Sequence, residues 1–204
     1  MADLTTLTRV KLDLSISSTD TSNDTLLSSL ISEASAVVEN WCNRAFERQD
    51  YTESVGADGD CFLYVSNTPV NALTEVSYSG STVSSTDYSL YESGSGSIFK
   101  DDGWIDTRVY RQEIVRWPVA ENKQYQVIYN AGYYMPGSSL RDLPYDIERA
   151  TLEMVKQLYQ GRCREGALES EKIGSYSAKF RDMGIPPMTK TLLAPYVRPV
   201  VETP

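Results

Sequence analysis

The 204-residue sequence contains no histidine. Its absence removes the commonest general base near neutral pH and the commonest nitrogen ligand for metals, and it excludes Ser–His and Cys–His nucleophile systems. An enzyme built on this chain would have to use carboxylate, lysine or tyrosine chemistry. Cysteine is nearly as scarce. Cys42, Cys61 and Cys163 are odd in number and form no C-x-x-C pair, which fits free thiols in a reducing compartment. Cations are outnumbered as well: 19 Lys and Arg against 28 Asp and Glu leave a net charge of −9. That balance argues against a protein that grips nucleic acid by its phosphates. No apolar run approaches the length of a membrane span, and the first residues lack the charged-then-apolar profile of a secretory signal.

What is present is enough for a substantial core. Hydrophobic residues make up 41% of the chain, which suits one or two domains. Thr6 is a capping residue, and Leu7, Val10 and Leu14 recur at helical spacing behind it. A polar loop, Ser15 to Asp24, ends in the cap candidates Ser22 and Asn23. From Asp24 to Cys42, the residues Leu26, Leu27, Leu30, Ile31, Ala34, Val37, Val38 and Trp41 form one stripe, predicting a helix about 28 Å long. Asn43 and Arg44 suit its end, where an amide tolerates the left-handed conformation and a cation meets the helix dipole. Cys42 closes the apolar face and reads as a small core residue.

Between Gln49 and Gly132 the pattern shifts to short β-prone runs: Phe62–Val65, Leu73–Tyr78, Glu113–Trp117 and Gln124–Tyr129. Turn clusters at Ala57–Asp60, Ser79–Ser81 and Ser93–Ser97 separate them, predicting an antiparallel sheet or small sandwich. Ser93–Ser97 has neither a dinucleotide glycine pattern nor a P-loop lysine and reads as a flexible loop. Most of the 14 tyrosines lie in this region or just beyond it, where a packed ring with a wet hydroxyl suits half-exposed sheet faces. The strand breaks at Ala131-Gly132-Tyr133, and Leu143-Pro144 opens a second long helix with Ile147, Thr151, Met154, Val155, Leu158 and Tyr159 on one face, stopping at Gly161. The two long helices are expected to pack on each other. The polar segment Arg162 to Lys172 is followed by an alternating stretch, Ile173–Phe180, a short helix over Thr189–Leu193 and a proline-punctuated tail.

The fold class is therefore α+β. It has a helical core over 1–48 and 142–204, an inserted antiparallel β domain over 49–141, and an extended C-terminal tail. Neither Asp58-Gly59-Asp60 nor Asp101-Asp102-Gly103 with Asp106 has calcium-loop spacing, so acidic turns are the simpler reading. Paired carboxylates at Glu165, Glu169 and Glu171 read as a solvated face. No metal or cofactor is expected. Two stretches exceed a bland reading: Tyr133-Tyr134-Met135-Pro136 crowds apolar bulk into a loop, and the tail is apolar at Leu192, Leu193, Pro195, Tyr196, Val197, Val200 and Val201 around Arg198. The tail either wraps its own domain or docks on a neighbour, in which case it is the candidate partner-binding segment, for a portal or a neighbouring subunit. Tyr133, Tyr134 and Met135 mark a buried contact or a possible subunit contact.

Several segments, taken in order, resemble the head–tail connector (adaptor) proteins of tailed bacteriophages. They are Leu7–Leu12, Leu26-Leu27-x-x-Leu30-Ile31-x-x-Ala34-Ser35, Trp41-Cys42-Asn43-Arg44-x-Phe46, Tyr129-Asn130-Ala131-Gly132-Tyr133, Leu143-Pro144-x-Asp146-Ile147-x-x-Ala150, Tyr159-x-x-x-x-Cys163, Ile173–Ser177 and Leu192–Tyr196. The resemblance implies a non-enzymatic virion protein, assembled in the host cytoplasm as a dodecameric ring at the head–tail interface. That ring would sit beneath the portal protein, meet a stopper or tail-completion protein, and let double-stranded DNA pass without specific binding or any membrane. Two other readings stay open: a stopper or tail-completion ring, and a carboxylate-based hydrolase or glycan-binding module using Asp58, Asp60, Asp101 or Asp102.

Overall fold

The computed structural model describes residues 2–107, 124–162, 170–173, 176–179 and 184–198, with 170–173 and 176–179 described by backbone alone. The expected α+β class is borne out. Two compact units divide the chain: Met1–Phe46 with Tyr134–Pro204, and Glu47–Tyr133.

The helical unit holds α1 (Leu7–Asp13), α2 (Asp24–Cys42), α3 (Tyr145–Gly161) and α4 (Pro187–Leu193), the last continuing into a 3-10 turn, Ala194–Tyr196. Thr6 caps α1, its hydroxyl accepting the Arg9 N–H at 3.3 Å. Lys11 in the last turn of α1 is 5% exposed, and its ammonium lies 2.5 Å from Asp24 in the first turn of α2. Each charge sits at the helix end whose dipole favours it, and a buried cation needs such a partner. The stripes of α2 and α3 meet, although Leu26 and Trp41, predicted on the α2 stripe, are exposed. Leu27, Leu30, Ile31 and Ala34 share a core cluster with Val10, Leu152, Met154 and Val155. Ser35 is wholly buried yet satisfied, accepting the Leu4 N–H at 3.0 Å. Between α3 and α4, the backbone forms an antiparallel pair, β8 (Ser170–Ile173) with β9 (Tyr176–Lys179).

The β unit is a small two-sheet sandwich. Strands β1 (Gln49–Val55), β7 (Tyr125–Ala131), β3 (Val70–Tyr78) and β4 (Ser81–Thr82) form one antiparallel sheet in that order. Strands β2 (Phe62–Tyr64), β6 (Ser97–Phe99) and β5 (Ser89–Glu92) form the other. Leu63 and Ile98 from the small sheet share one core with Val76, Val127 and Tyr129 from the large one, and with Trp104. The predicted strand at Glu113–Trp117 lies outside the described residues. Ser93–Ser97, read as a flexible loop, is a built turn that enters β6 at Ser97. Gly96 is buried at φ +67°, and a Cβ there would lie 2.8 Å from the Val65 carbonyl oxygen.

The corner where β1 begins and β7 ends has a local cause. Gly132 adopts φ +107°, and a Cβ would meet the Glu47 carbonyl oxygen at 2.5 Å. Only glycine allows that approach, which brings the Tyr133 carbonyl within 2.9 Å of the Arg48 N–H. Asn130 bridges the same corner, accepting from Arg48 Nε and donating to Asp50, each at 2.6 Å.

Candidate functional site

Two of the candidate tail residues, Tyr196 and Arg198, meet the corner at the end of α2. Asn43 takes the left-handed conformation (φ 50°, ψ 42°) and terminates the helix. Glu39, 7% exposed, turns back to accept the Phe46 N–H at 3.0 Å, which fixes the turn. Phe46 is fully buried, with the Arg44 guanidinium 5.0 Å from its ring centroid. The tail closes over this corner. Tyr196 meets Phe46 edge-on at 6.3 Å, and the Arg198 N–H donates to the Cys42 carbonyl at 3.0 Å. A carbonyl of the last turn of α2 is thereby satisfied by a residue more than a hundred positions away. Burial pushes the Cys42 thiol up to about 11, so it is a protonated core group at neutral pH.

The tail residues divide by exposure. Leu193 is wholly buried and Leu192, Tyr196 and Arg198 are half-buried, whereas Pro195 and Val197 are exposed. Val200 and Val201 lie outside the described residues. Tyr133, Tyr134 and Met135 are each half-buried, and the Tyr134 N–H donates to Asp142 at 2.6 Å. The structure adds two residues that sequence reasoning missed, Leu140 and Tyr145, which are 63% and 73% exposed. The Arg141 guanidinium lies 3.9 Å over the Tyr145 ring and binds Glu148 at 2.6 Å. The available signal was negative: Tyr145 falls off the apolar stripe of α3.

The acidic turns do converge, since the Trp104 N–H donates to the Asp60 carbonyl at 2.9 Å. Asp58, Asp60, Asp101, Asp102 and Asp106 are all exposed. Among the described residues, no group of three or more Cys, Asp or Glu could hold a metal ion. No helix among them is long and apolar enough to cross a membrane.

A sequence model of the family described as Head completion protein matches residues 3–198. The chain belongs to the head completion protein family. The expected kinship with head–tail connector proteins is borne out by this match. No curated protein matches the chain. Among solved structures, it is similar to a chain in the neck of an empty GTA (gene transfer agent) particle computed with C6 symmetry, at 14% identity and TM-score 0.55, over 96% of this chain and 91% of that one. It is also similar to a chain in the neck of a native GTA particle computed with C12 symmetry, at 14% identity and TM-score 0.50, over 87% and 85%. These two likenesses show a shared fold.

Proposed function

We propose that this chain is a structural subunit of a ring at the head–tail junction of a phage-like virion, where it joins the portal to the tail and extends the DNA channel. The observation that carries this reading is the family match, which runs through both units from residue 3 to residue 198. The shared fold with neck chains supports it, and the C12 symmetry of one such neck supports a dodecamer. In this reading the β unit is an insertion in a helical core and the role is not catalytic. The chemistry of the chain agrees. A ring through which duplex DNA slides should not attract phosphates strongly, because each Lys or Arg contact adds salt-dependent affinity. A subunit with net charge −9 meets that need.

The tail segment Leu192–Val201 docks on the portal or on a neighbouring subunit, with buried Leu193 anchoring it and exposed Pro195 and Val197 offered outward. Repetition around a ring multiplies weak contacts into a stable joint. A second reading, a stopper or completion ring added after another ring, is favoured by the family's description. Light scattering of the chain with and without purified portal rings tests both. A ring-sized complex on bare portal is the expected result, binding only to portal already carrying an adaptor selects the completion ring, and no binding to either overturns the proposal.

A further inference from the structure

The outer face of the small sheet carries a cluster of four aromatic rings. Phe62 and Phe99 are register partners on β2 and β6, with ring centroids 5.4 Å apart. Tyr91 stands edge-on to Phe62 at 5.3 Å, and Tyr64 stacks on Phe62 at 6.3 Å. Tyr64 and Tyr91 remain 59% and 68% exposed, so the cluster faces water while Leu63 and Ile98 fill the core behind it. Contiguous exposed aromatics of this kind mark a contact surface.

The charges around the face restrict what can cover it. Asp60 lies two residues before Phe62 and Asp101 two residues after Phe99, in the turns at the same end of the β2–β6 pair, and Glu92 pairs with Ser97 in the neighbouring strand. All three carboxylates are exposed. Among the described residues, the neighbouring Lys100 points its ammonium at the Gly103 carbonyl, 3.1 Å away. Aromatic ring faces and carboxylates both repel phosphate and both attract cations. The complement is an apolar surface bearing a cation, and this chain exposes one. At the end of α2, Trp41 is 40% exposed, with the Lys190 ammonium 5.1 Å from its ring centroid.

We propose that the aromatic face of β2–β6–β5 docks a second copy of this chain through that copy's Trp41–Lys190 surface. The inference rests on the ring reading above. A closed ring joins each copy to two neighbours through two different surfaces, and one chain carrying both complements meets that condition. The pairing also offsets the like-charge repulsion expected between subunits of net charge −9.

The test is photo-cross-linking in the full chain, with p-benzoylphenylalanine in place of Tyr91, irradiated after assembly on portal rings. Mass spectrometry should find cross-links to a peptide of another copy that contains Trp41 or Lys190. Lys190→Glu should weaken ring assembly about tenfold or more without changing the melting temperature, and adding Glu92→Lys should restore part of it. Rings that form with cross-links only elsewhere, or with none, would overturn this joint and leave the ring reading intact. Failure of the unsubstituted protein to form any ring would end the ring reading and the joint together.

Discussion

The two units are held together by different chemistry. The helical unit is an aliphatic interlock, with Leu27, Ile31 and Ala34 of α2 packed against Leu152, Met154 and Val155 of α3. The β unit relies on aromatic residues with polar tips and on glycine turns. Tyr129 is fully buried by area, yet its hydroxyl donates to Glu53 at 2.6 Å and accepts the Asn67 N–H at 3.1 Å. Tyr125 behaves similarly, packing tilted against Tyr78 and edge-on to Trp104 while its hydroxyl accepts the Ile105 N–H at 2.9 Å. Periodic aliphatic packing tolerates local adjustment. A sandwich of short strands depends on a few positions that have no substitute.

The largest effect is therefore expected at a glycine. Gly132→Val combines a backbone conformation that L residues rarely adopt with collision against the Glu47–Arg48 backbone. It should cost about 4 kcal/mol or more, read by chemical denaturation and by loss of near-ultraviolet tyrosine signal from the β unit. Next comes the helical core. Leu27→Ala or Met154→Ala should each cost about 2–5 kcal/mol in helical circular dichroism melts. A variant that left the helical signal's melting temperature unchanged would break the α2–α3 interlock.

A smaller effect is expected at the polar tips. Tyr129→Phe deletes the bond to Glu53 and the acceptor of Asn67, and should cost about 1–2 kcal/mol. It should also change the alkaline response. Burial first, and then the bond to Glu53, holds the Tyr129 phenol well above its ordinary 10.0. The unfolded chain therefore releases this proton first, so stability is intact below about pH 10 and falls as pH rises beyond it. The Phe variant should show a shallower alkaline loss in the β unit. The helical unit has its own marker, since Cys42 is raised from 9.0 to about 11 by burial. Its contribution is complete below pH 9.0 and declines between there and about 11. Cys42→Ala should flatten the helical unit's pH dependence in that window and leave the β unit's unchanged. The smallest effect is at a cap, where Thr6→Ala should cost about 1 kcal/mol, measured by denaturant midpoint, because the Arg9 N–H loses its acceptor.

The contrast between the units also explains what was legible in the sequence. The bounds of α2 follow from an unbroken helical stripe and from Asn43, so periodicity and the cap agree with the structure to the residue. The α3 stripe was equally plain at Ile147, Thr151, Met154 and Val155, all buried. Strand β1, Gln49–Val55, escaped notice because its sequence is polar and it buries little, taking its place by pairing with β7. Strand β6 was hidden in a Ser/Gly run, because its two buried residues, Ser97 and Ile98, acquire meaning only across from Leu63 and Tyr64. At the candidate site, the apolar excess of the tail was visible, but its division was not. Leu193 is buried and Val197 exposed, while Tyr196 and Arg198 reach Phe46 and Cys42, which lie far away in sequence. Tyr64 and Tyr91 look like ordinary strand residues until the small sheet gathers them with Phe62 and Phe99 on one outer face.

Electron cryo-microscopy of the chain assembled on its portal tests the central claim most directly. The account predicts a closed ring of twelvefold symmetry on the tail side of the portal, with the aromatic face of each subunit covered by its neighbour. A portal that carries isolated single subunits, or none, would contradict it.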